Sequence, residues 1–326
     1  MITINKYNLK ALQEWDQFIS DSNNGTIFQK QRFINYHINR KFVDHSLLIK
    51  KNNKLVAVLP AAVCDNILYS HPGSSYGGFV VASEVDFETT NDIIQSVDDY
   101  CRSQKFKSLF LINSPSVYQK RFDQSIDYLL HWNNYKSKEI YISHVVDMST
   151  ASTPLELLKK RKRRYINNNK ELDDFSFKES NDFDLFYKIL LEGKKKYNTK
   201  PTHTLEELYQ LKTLFPEEIK LMLSIKSNQV IGGSVMFFAN RKVSLVFYNA
   251  ISKNYRNSQI AMLQLYKCME VSKKYGYNFV DFGVSHTPEQ DDPMSPKFSL
   301  IHFKEQFDAK GVLRVAHQKE YCDHKK

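Results

Sequence analysis

Lys51-Asn-Asn53-Lys54-Leu-Val-Ala57 and Lys226-Ser-Asn228-Gln229-Val-Ile-Gly232 show one pattern twice, 175 residues apart. Each is a short polar turn between two runs of alternating apolar residues, the signature of a β-hairpin. A second pair of stretches follows in the same order. Arg102-Ser-Gln-Lys-Phe106-Lys-Ser-Leu-Phe-Leu-Ile-Asn-Ser114 lies over Lys273-Lys-Tyr-Gly-Tyr277-Asn-Phe-Val-Asp-Phe-Gly-Val-Ser285 at an offset of 171. Two matches in order at nearly one offset indicate an internal duplication, the difference being a change in loop length.

Outward from these anchors, periodicity predicts the remaining elements. In the first half it places helices over 11–22 and 29–40, a hairpin over 46–59 and a glycine-rich stretch at 70–78. A helix over 86–104, a strand over 108–112, a helix over 116–130 and a strand over 140–146 follow. In the second half, helices over 154–170, 182–196 and 205–215 precede a hairpin over 221–238. A strand over 243–251, a long helix over 256–275 and a strand over 278–282 complete it. The fold class is therefore α/β, in two tandem domains, each a mixed, mostly antiparallel sheet flanked by helices. A length of 326 residues suits two domains. Met148-Ser-Thr-Ala-Ser-Thr-Pro154 reads as a polar joint, with Thr153 as N-cap and Pro154 in the first turn. The expected domains are 1–150 and 151–326, the second opening with a basic helix.

The net charge is +10, from 46 basic and 36 acidic residues. Lys159-Lys160-Arg161-Lys162-Arg163-Arg164 supplies six of those positives, so the chain has one basic spot rather than a basic surface. Such a spot favours phosphate, or else forms a solvated helix face. On a helix, Lys160, Arg163 or Arg164 and Asn167 share a side, and arginine forks match phosphate oxygens better than lysine does. Apolar residues make up 42% of the chain, too many for a disordered one. Its longest nearly apolar stretch, 55–64, is too short to span a membrane. No signal peptide is visible, and the four cysteines, Cys64, Cys101, Cys268 and Cys322, form no CxxC pair, which suits the cytoplasm. There is no GxSxG elbow, P-loop or HExxH, and no His or Cys pair at metal spacing, so no metal is expected.

The element order of each half is that of the GNAT acyltransferase fold. Two such units in tandem, with a basic helix opening the second, resemble the FemABX family of peptidoglycan aminoacyltransferases and the wider FemAB-like GNAT proteins. The resemblance implies an acyl- or aminoacyltransferase that forms an amide on an amine of a phosphate-bearing cell-envelope precursor, a sugar or peptide. It associates an arginine of the basic helix, Arg163 or Arg164 here with Lys160 beside them, with the acceptor's diphosphate. It also matches Phe303-Lys304 and Phe307 to the family's terminal Phe-Lys…Phe-Gly segment, with Asp308 where the glycine usually stands. Lys304 then sits at the reaction centre, where an ammonium can stabilise an oxyanion; the alternative is a snorkelling lysine.

Further candidates come from the residues. Ser70-His71-Pro-Gly73-Ser-Ser75-Tyr76-Gly77-Gly78 can approach a ligand closely, with His71, Ser75 and Tyr76 as hydrogen-bonding groups. The acidic residue that follows this loop in FemABX proteins is missing. Asp281, ending an apolar strand beside Gly283, could take a proton from an amine. His203 precedes a helix that Thr204 and Glu207 could cap, and is either a base or purely structural. Arg256-Asn-Ser258-Gln259-Ile-Ala261 is the donor-loop candidate, but Gln259 stands where a coenzyme A loop needs its close-approach glycine. The expected donor is therefore an aminoacyl-tRNA or a carrier-linked acyl group, with acyl-CoA as the alternative and no tightly bound cofactor. The expected partners are a small or lipid-linked phosphate-bearing acceptor and tRNA or acyl-carrier protein. The expected place is the cytoplasm, including the inner membrane surface. An acyl-CoA-dependent N-acetyltransferase acting on another small-molecule amine is the second reading of the function, and a non-enzymatic RNA- or membrane-surface binder using the basic run is the third.

Overall fold

Alternating apolar residues in the first half assemble a unit of Met1–Tyr141 with Leu313–Lys326. The computed structural model describes residues 1–168, 174–195, 198–255, 258–286 and 292–321. In chain order the first unit holds β1 (Ile2–Lys6), α1 (Leu12–Asp21), a short α2 (Gln31–Ile34), β2 (Val43–Asp44), β3 (Leu47–Lys51), β4 (Lys54–Leu59), β5 (Ala62–Cys64), β6 (Ile67–Ser70), β7 (Val80–Val81), α3 (Phe87–Ser103), β8 (Ser108–Ile112), α4 (Ser125–Trp132) and the start of β9 (Lys136–Asp147). One sheet runs β1-β3-β4-β7 and a second contains β2-β5-β6-β8. Pro60 explains this division, since it lacks the N–H a continuous strand would donate between β4 and β5. Ile93, Ile94 and Val97 of α3 pack with Leu47, Leu59, Leu109 and Leu111 into the core.

The second unit spans Ile142–Val312. It holds the rest of β9, α5 (Pro154–Leu157), α6 (Lys160–Asn168), β10 (Phe175–Ser180), α7 (Phe183–Lys195), α8 (Leu205–Leu214), β11 (Ile219–Lys226), β12 (Gln229–Phe238), β13 (Val243–Ile251), α9 (Ile260–Lys274), β14 (Phe279–Val284), α10 (Phe298–Glu305) and the start of β15 (Lys310–Glu320). Its strands run β10-β11-β12-β13-β14, with the second half of β9 beside β14. The core gathers Met262, Leu263, Leu265 and Met269 of α9 against Met236, Val246, Val280 and Phe307. Among the described residues no helix is long and apolar enough to cross a membrane.

The division falls at Tyr141/Ile142, not at 150/151. The reason lies in β9: Val145, Val146 and Asp147 already pair with Asp281, Val280 and Phe279 of β14. Met148 to Pro154 thus follows a strand of the second unit. Thr153 and Glu156 do form a capping box, with Pro154 in the first turn. At the other end, Ala316–Glu320 of β15 pair with β8, which places that part of β15 in the first unit.

The duplication reaches backbone detail. Asn52 and Asn53 take φ of 50° and 65° at the first hairpin turn, and Ser227 and Asn228 take 48° and 60° at the second. These are the left-handed residues of a two-residue hairpin turn. A register shift interrupts β3–β4 between Ile49 and Lys50, and one interrupts β11–β12 between Ser224 and Ile225; both pairs again lie 175 apart. At the end of α3, Phe106 N donates to Cys101 O and Lys105 N to Arg102 O. At the end of α9, Tyr277 N donates to Ser272 O and Gly276 N to Lys273 O, an identical termination 171 residues on.

Three helices differ from expectation. The span 29–40 yields only α2: Thr26, Gln29 and Gln31 are buried, and Gln29 accepts from Thr26 N and donates to Gly77 O across to the glycine-rich loop. The span 116–130 becomes a single 3-10 turn followed by α4. The basic helix is separate from α5, because buried Leu158 adopts an extended conformation.

Candidate active site

β13 and β14 run parallel for only three pairs, Val243–Phe279, Ser244–Val280 and Leu245–Asp281. Beyond them the strands part, and β13 carries an extra residue, Phe247, between its pairings with Val235 and Met236. Parting leaves strand-end polar groups without ladder partners, and such gaps in parallel sheets are where ligands bind.

The polar groups at the end of β14 form one knot. Asp281 is fully buried; its Oδ1 accepts from Ser143 Oγ at 2.5 Å and from Gly283 N at 2.7 Å. The second bond closes a turn in which Gly283 takes a φ of 74°, a conformation suited to glycine. Lys304, 4% exposed on α10, donates to Gly283 O at 2.7 Å, Val284 O at 3.0 Å and Ser285 Oγ at 2.9 Å. Ser285 Oγ also lies 3.0 Å from His144 Nδ1. Burial pulls the Lys304 pKa from 10.5 to about 8, with Asp281 opposing. Burial, then the Lys304 charge, lowers the pKa of His144. His286 Nε2 accepts from Ile142 N and its Nδ1 donates to Met294 O.

The structure therefore brings Asp281 and Lys304 together, but in roles other than those expected. All three N–H groups of the Lys304 ammonium already meet acceptors, so it holds the peptide planes after β14 rather than facing the gap. Asp281 has no exposed surface from which to take a substrate proton, and it holds the Gly283 turn. His144 and Ser285 escaped the sequence reading. Ser285 had a signal, since it closes the second repeated stretch, whereas His144 is one residue of an ordinary strand.

At the start of α9, Gln259 is the N-cap, and its Oε1 accepts from Lys162 Nζ at 2.6 Å. Ser258 Oγ donates to Tyr255 O at 2.5 Å and accepts from Ile260 N, so it serves the helix start. Arg256 lies outside the described residues, as does Cys322. Lys160, Arg163 and Arg164 are exposed along α6, while Lys162 is partly buried. Burial lowers the Lys162 pKa, and Arg161 adds to this.

The other candidates are structurally engaged. His203 is buried, its Nδ1 lies 3.0 Å from Tyr248 Oη, and its ring packs on Phe247. Thr204 and Glu207 form the capping box that follows it. In the first unit, the close approaches of the glycine-rich loop are to its own surroundings. A Cβ on Gly77 would meet Ser70 O at 2.2 Å, and one on Gly78 would meet Asn113 Oδ1. Ser74 Oγ donates to Phe28 O, and burial brings the His71 pKa to about 4. Tyr76 is buried edge-on against Phe28, and Ser75 is partly exposed.

No protein-family model and no curated protein matches the sequence. Solved structures do match. FemX superposes with a TM-score of 0.68 at 12% identity, over 97% of both chains. The C-terminal domain of a putative lysylphosphatidylglycerol synthetase from Agrobacterium fabrum gives 0.60 at 9% identity, over 97% of this chain and 94% of that one. A tandem GNAT protein from the clavulanic acid biosynthesis pathway, solved without AcCoA, gives 0.57 at 9% identity, over 98% of both. The chain has the tandem GNAT fold. Within that class its likeness is to FemX and related tandem GNAT proteins, and at these identities it is a likeness of fold.

Proposed function

We propose that this chain is an acyltransferase that forms an amide on an amine of a phosphate-bearing cell-envelope precursor, with the chemistry in the second unit. One observation carries the placement: the repeat is asymmetric in its polar residues. At the 171 offset, Phe110 stands where the second copy has Asp281. Asn134 and Asp308, both left-handed after their helices at φ of 65° and 60°, set an offset of 174 for α4 and α10, and Leu130 then stands for Lys304. Both first-unit counterparts are apolar, so its strand end lacks the carboxylate and the lysine.

Chemically, the acceptor amine must lose a proton as it attacks the donor carbonyl. The line Lys304–Ser285–His144 is continuous at 2.9 and 3.0 Å, and a lysine pKa near 8 suits proton exchange near neutrality. These residues position the strand end, and the amine's proton leaves to water in the gap. Arg163 and Arg164, exposed and without ion pairs among the described residues, hold the acceptor's phosphates. The donor is an aminoacyl-tRNA or a carrier-linked acyl group, used in the cytoplasm or at the inner membrane surface. Acyl-CoA is the second reading. Gln259, tethered to Lys162 at the helix start, opposes it.

The test is an incubation of the purified chain with a diphosphate-linked amino-sugar peptide, offered aminoacyl-tRNA or acetyl-CoA, with the amide read by mass spectrometry. Amide formed from aminoacyl-tRNA alone is expected, and Lys304→Met should abolish it. Amide from acetyl-CoA alone would promote the second reading, and amide from neither donor would remove the envelope acceptor.

A further inference from the structure

Arg314, on the part of β15 that belongs to the first unit, is held in an unusual state. Its guanidinium carbon lies 5.5 Å from the ring centre of Tyr141 and 6.0 Å from that of Tyr76. Two aromatic faces thus fix the plane of the cation. Its Nε is buried and makes no hydrogen bond. Among the described residues the guanidinium has no ion pair either, and the side chain is only partly buried, so its outward Nη edge remains available. A planar cation that is immobilised, partly desolvated and unmatched at that edge is organised for bidentate capture of an oxyanion.

A second group abuts the same stretch of chain. Tyr76 is followed by Gly77, which bridges to Asn113, and by Gly78, at which Asn113 Oδ1 would stand 2.0 Å from an added Cβ. Asn113 is 9% exposed, and neither its Nδ2 nor its Oδ1 reaches hydrogen-bond geometry with a partner. Its amide does lower the pKa of the Asp127 carboxyl, against the larger rise caused by burial. The glycine-rich loop therefore has over its tyrosine a guanidinium whose Nε makes no hydrogen bond, and against Gly78 the oxygen of the Asn113 amide.

We infer that Arg314, with Tyr76 and Tyr141, forms an oxyanion-binding site in the first unit, made of other residues than the basic run and independent of the acyltransfer reading. Its ligand presents a pair of oxygens of the kind a phosphate or a carboxylate carries.

Calorimetry and thermal shift on the full chain test this with two probes, pyrophosphate and succinate, at fixed ionic strength. At least one should bind saturably, and which one does identifies the group. Arg314→Met should abolish that binding, while Arg314→Lys, which keeps the charge but not the fork, should weaken it at least tenfold. The Arg163→Ala/Arg164→Ala variant should bind as the parent does. Without ligand, Arg314→Met should melt no lower than the parent, since it removes a buried unmatched donor. Binding of neither probe, binding unchanged in Arg314→Met, or a clear destabilisation of that variant alone would overturn the assignment.

Discussion

Lys304 makes the stability of the second unit depend on pH in a direction that can be worked out beforehand. Burial lowers its pKa from 10.5 to about 8. Between those values the unfolded chain binds a proton that the folded chain has released, so folding becomes more favourable as pH rises. At about 1.4 kcal/mol per pH unit, the full effect is roughly 3.4 kcal/mol. Between pH 7 and pH 9 only part of it appears, roughly 1.3 kcal/mol. Other groups titrate over this range, so the quantity to measure is the difference between the parent and Lys304→Met. Urea denaturation followed by circular dichroism at both pH values provides it. The parent should gain on the variant by about 1 kcal/mol between pH 7 and pH 9. The variant itself should be destabilised at pH 7, because Gly283 O, Val284 O and Ser285 Oγ lose their donor. A difference that stays flat with pH, or that falls, would refute the reading of Lys304 as a buried ammonium in tension with its surroundings.

Three further outcomes follow from particular contacts. Asp98 is buried and accepts from Tyr135 Oη, Tyr321 Oη and Lys319 Nζ at 2.6, 2.6 and 2.5 Å, tying the end of the chain to α3. Asp98→Ala should therefore cost about 3–5 kcal/mol in urea denaturation, largely through the stranded Lys319 charge. Arg163→Ala with Arg164→Ala should leave the melting temperature unchanged. Calorimetry should show binding of a diphosphate-bearing acceptor weakened by roughly 1–3 kcal/mol per lost charged hydrogen bond. Asp308, at a φ of 60° and paired with Lys310, should tolerate glycine within about 1 kcal/mol, whereas valine there should cost more than glycine in the same melt.

The repeat was legible because it is written in local chemistry. Hairpin turns need residues that accept a positive φ, and helix ends need one that reverses the chain, so Asn52-Asn53 and Gly276 leave a trace in any alignment of the halves. The exposure of Arg163 and Arg164 has a local cause too, since consecutive charged residues on a helix stay in water. The joint was misplaced because polarity marks a loop, whereas membership of a unit depends on which strand β9 pairs with.

The roles of Lys304 and Asp281 were decided only by the tertiary structure. Sequence names a lysine and a carboxylate, but whether they face a substrate depends on acceptors supplied from residues far away along the chain. Gly283, Val284 and Ser285 take up the ammonium from 21, 20 and 19 residues off, and Ser143 reaches Asp281 from 138. The same holds for Arg314, whose aromatic partners Tyr76 and Tyr141 come from remote segments and whose Nε finds no acceptor among the described residues. Turn conformation and helical spacing are set by neighbours within a few residues. Burial and hydrogen-bond satisfaction are properties of the packed whole, and on them rests what each polar group of this protein can do.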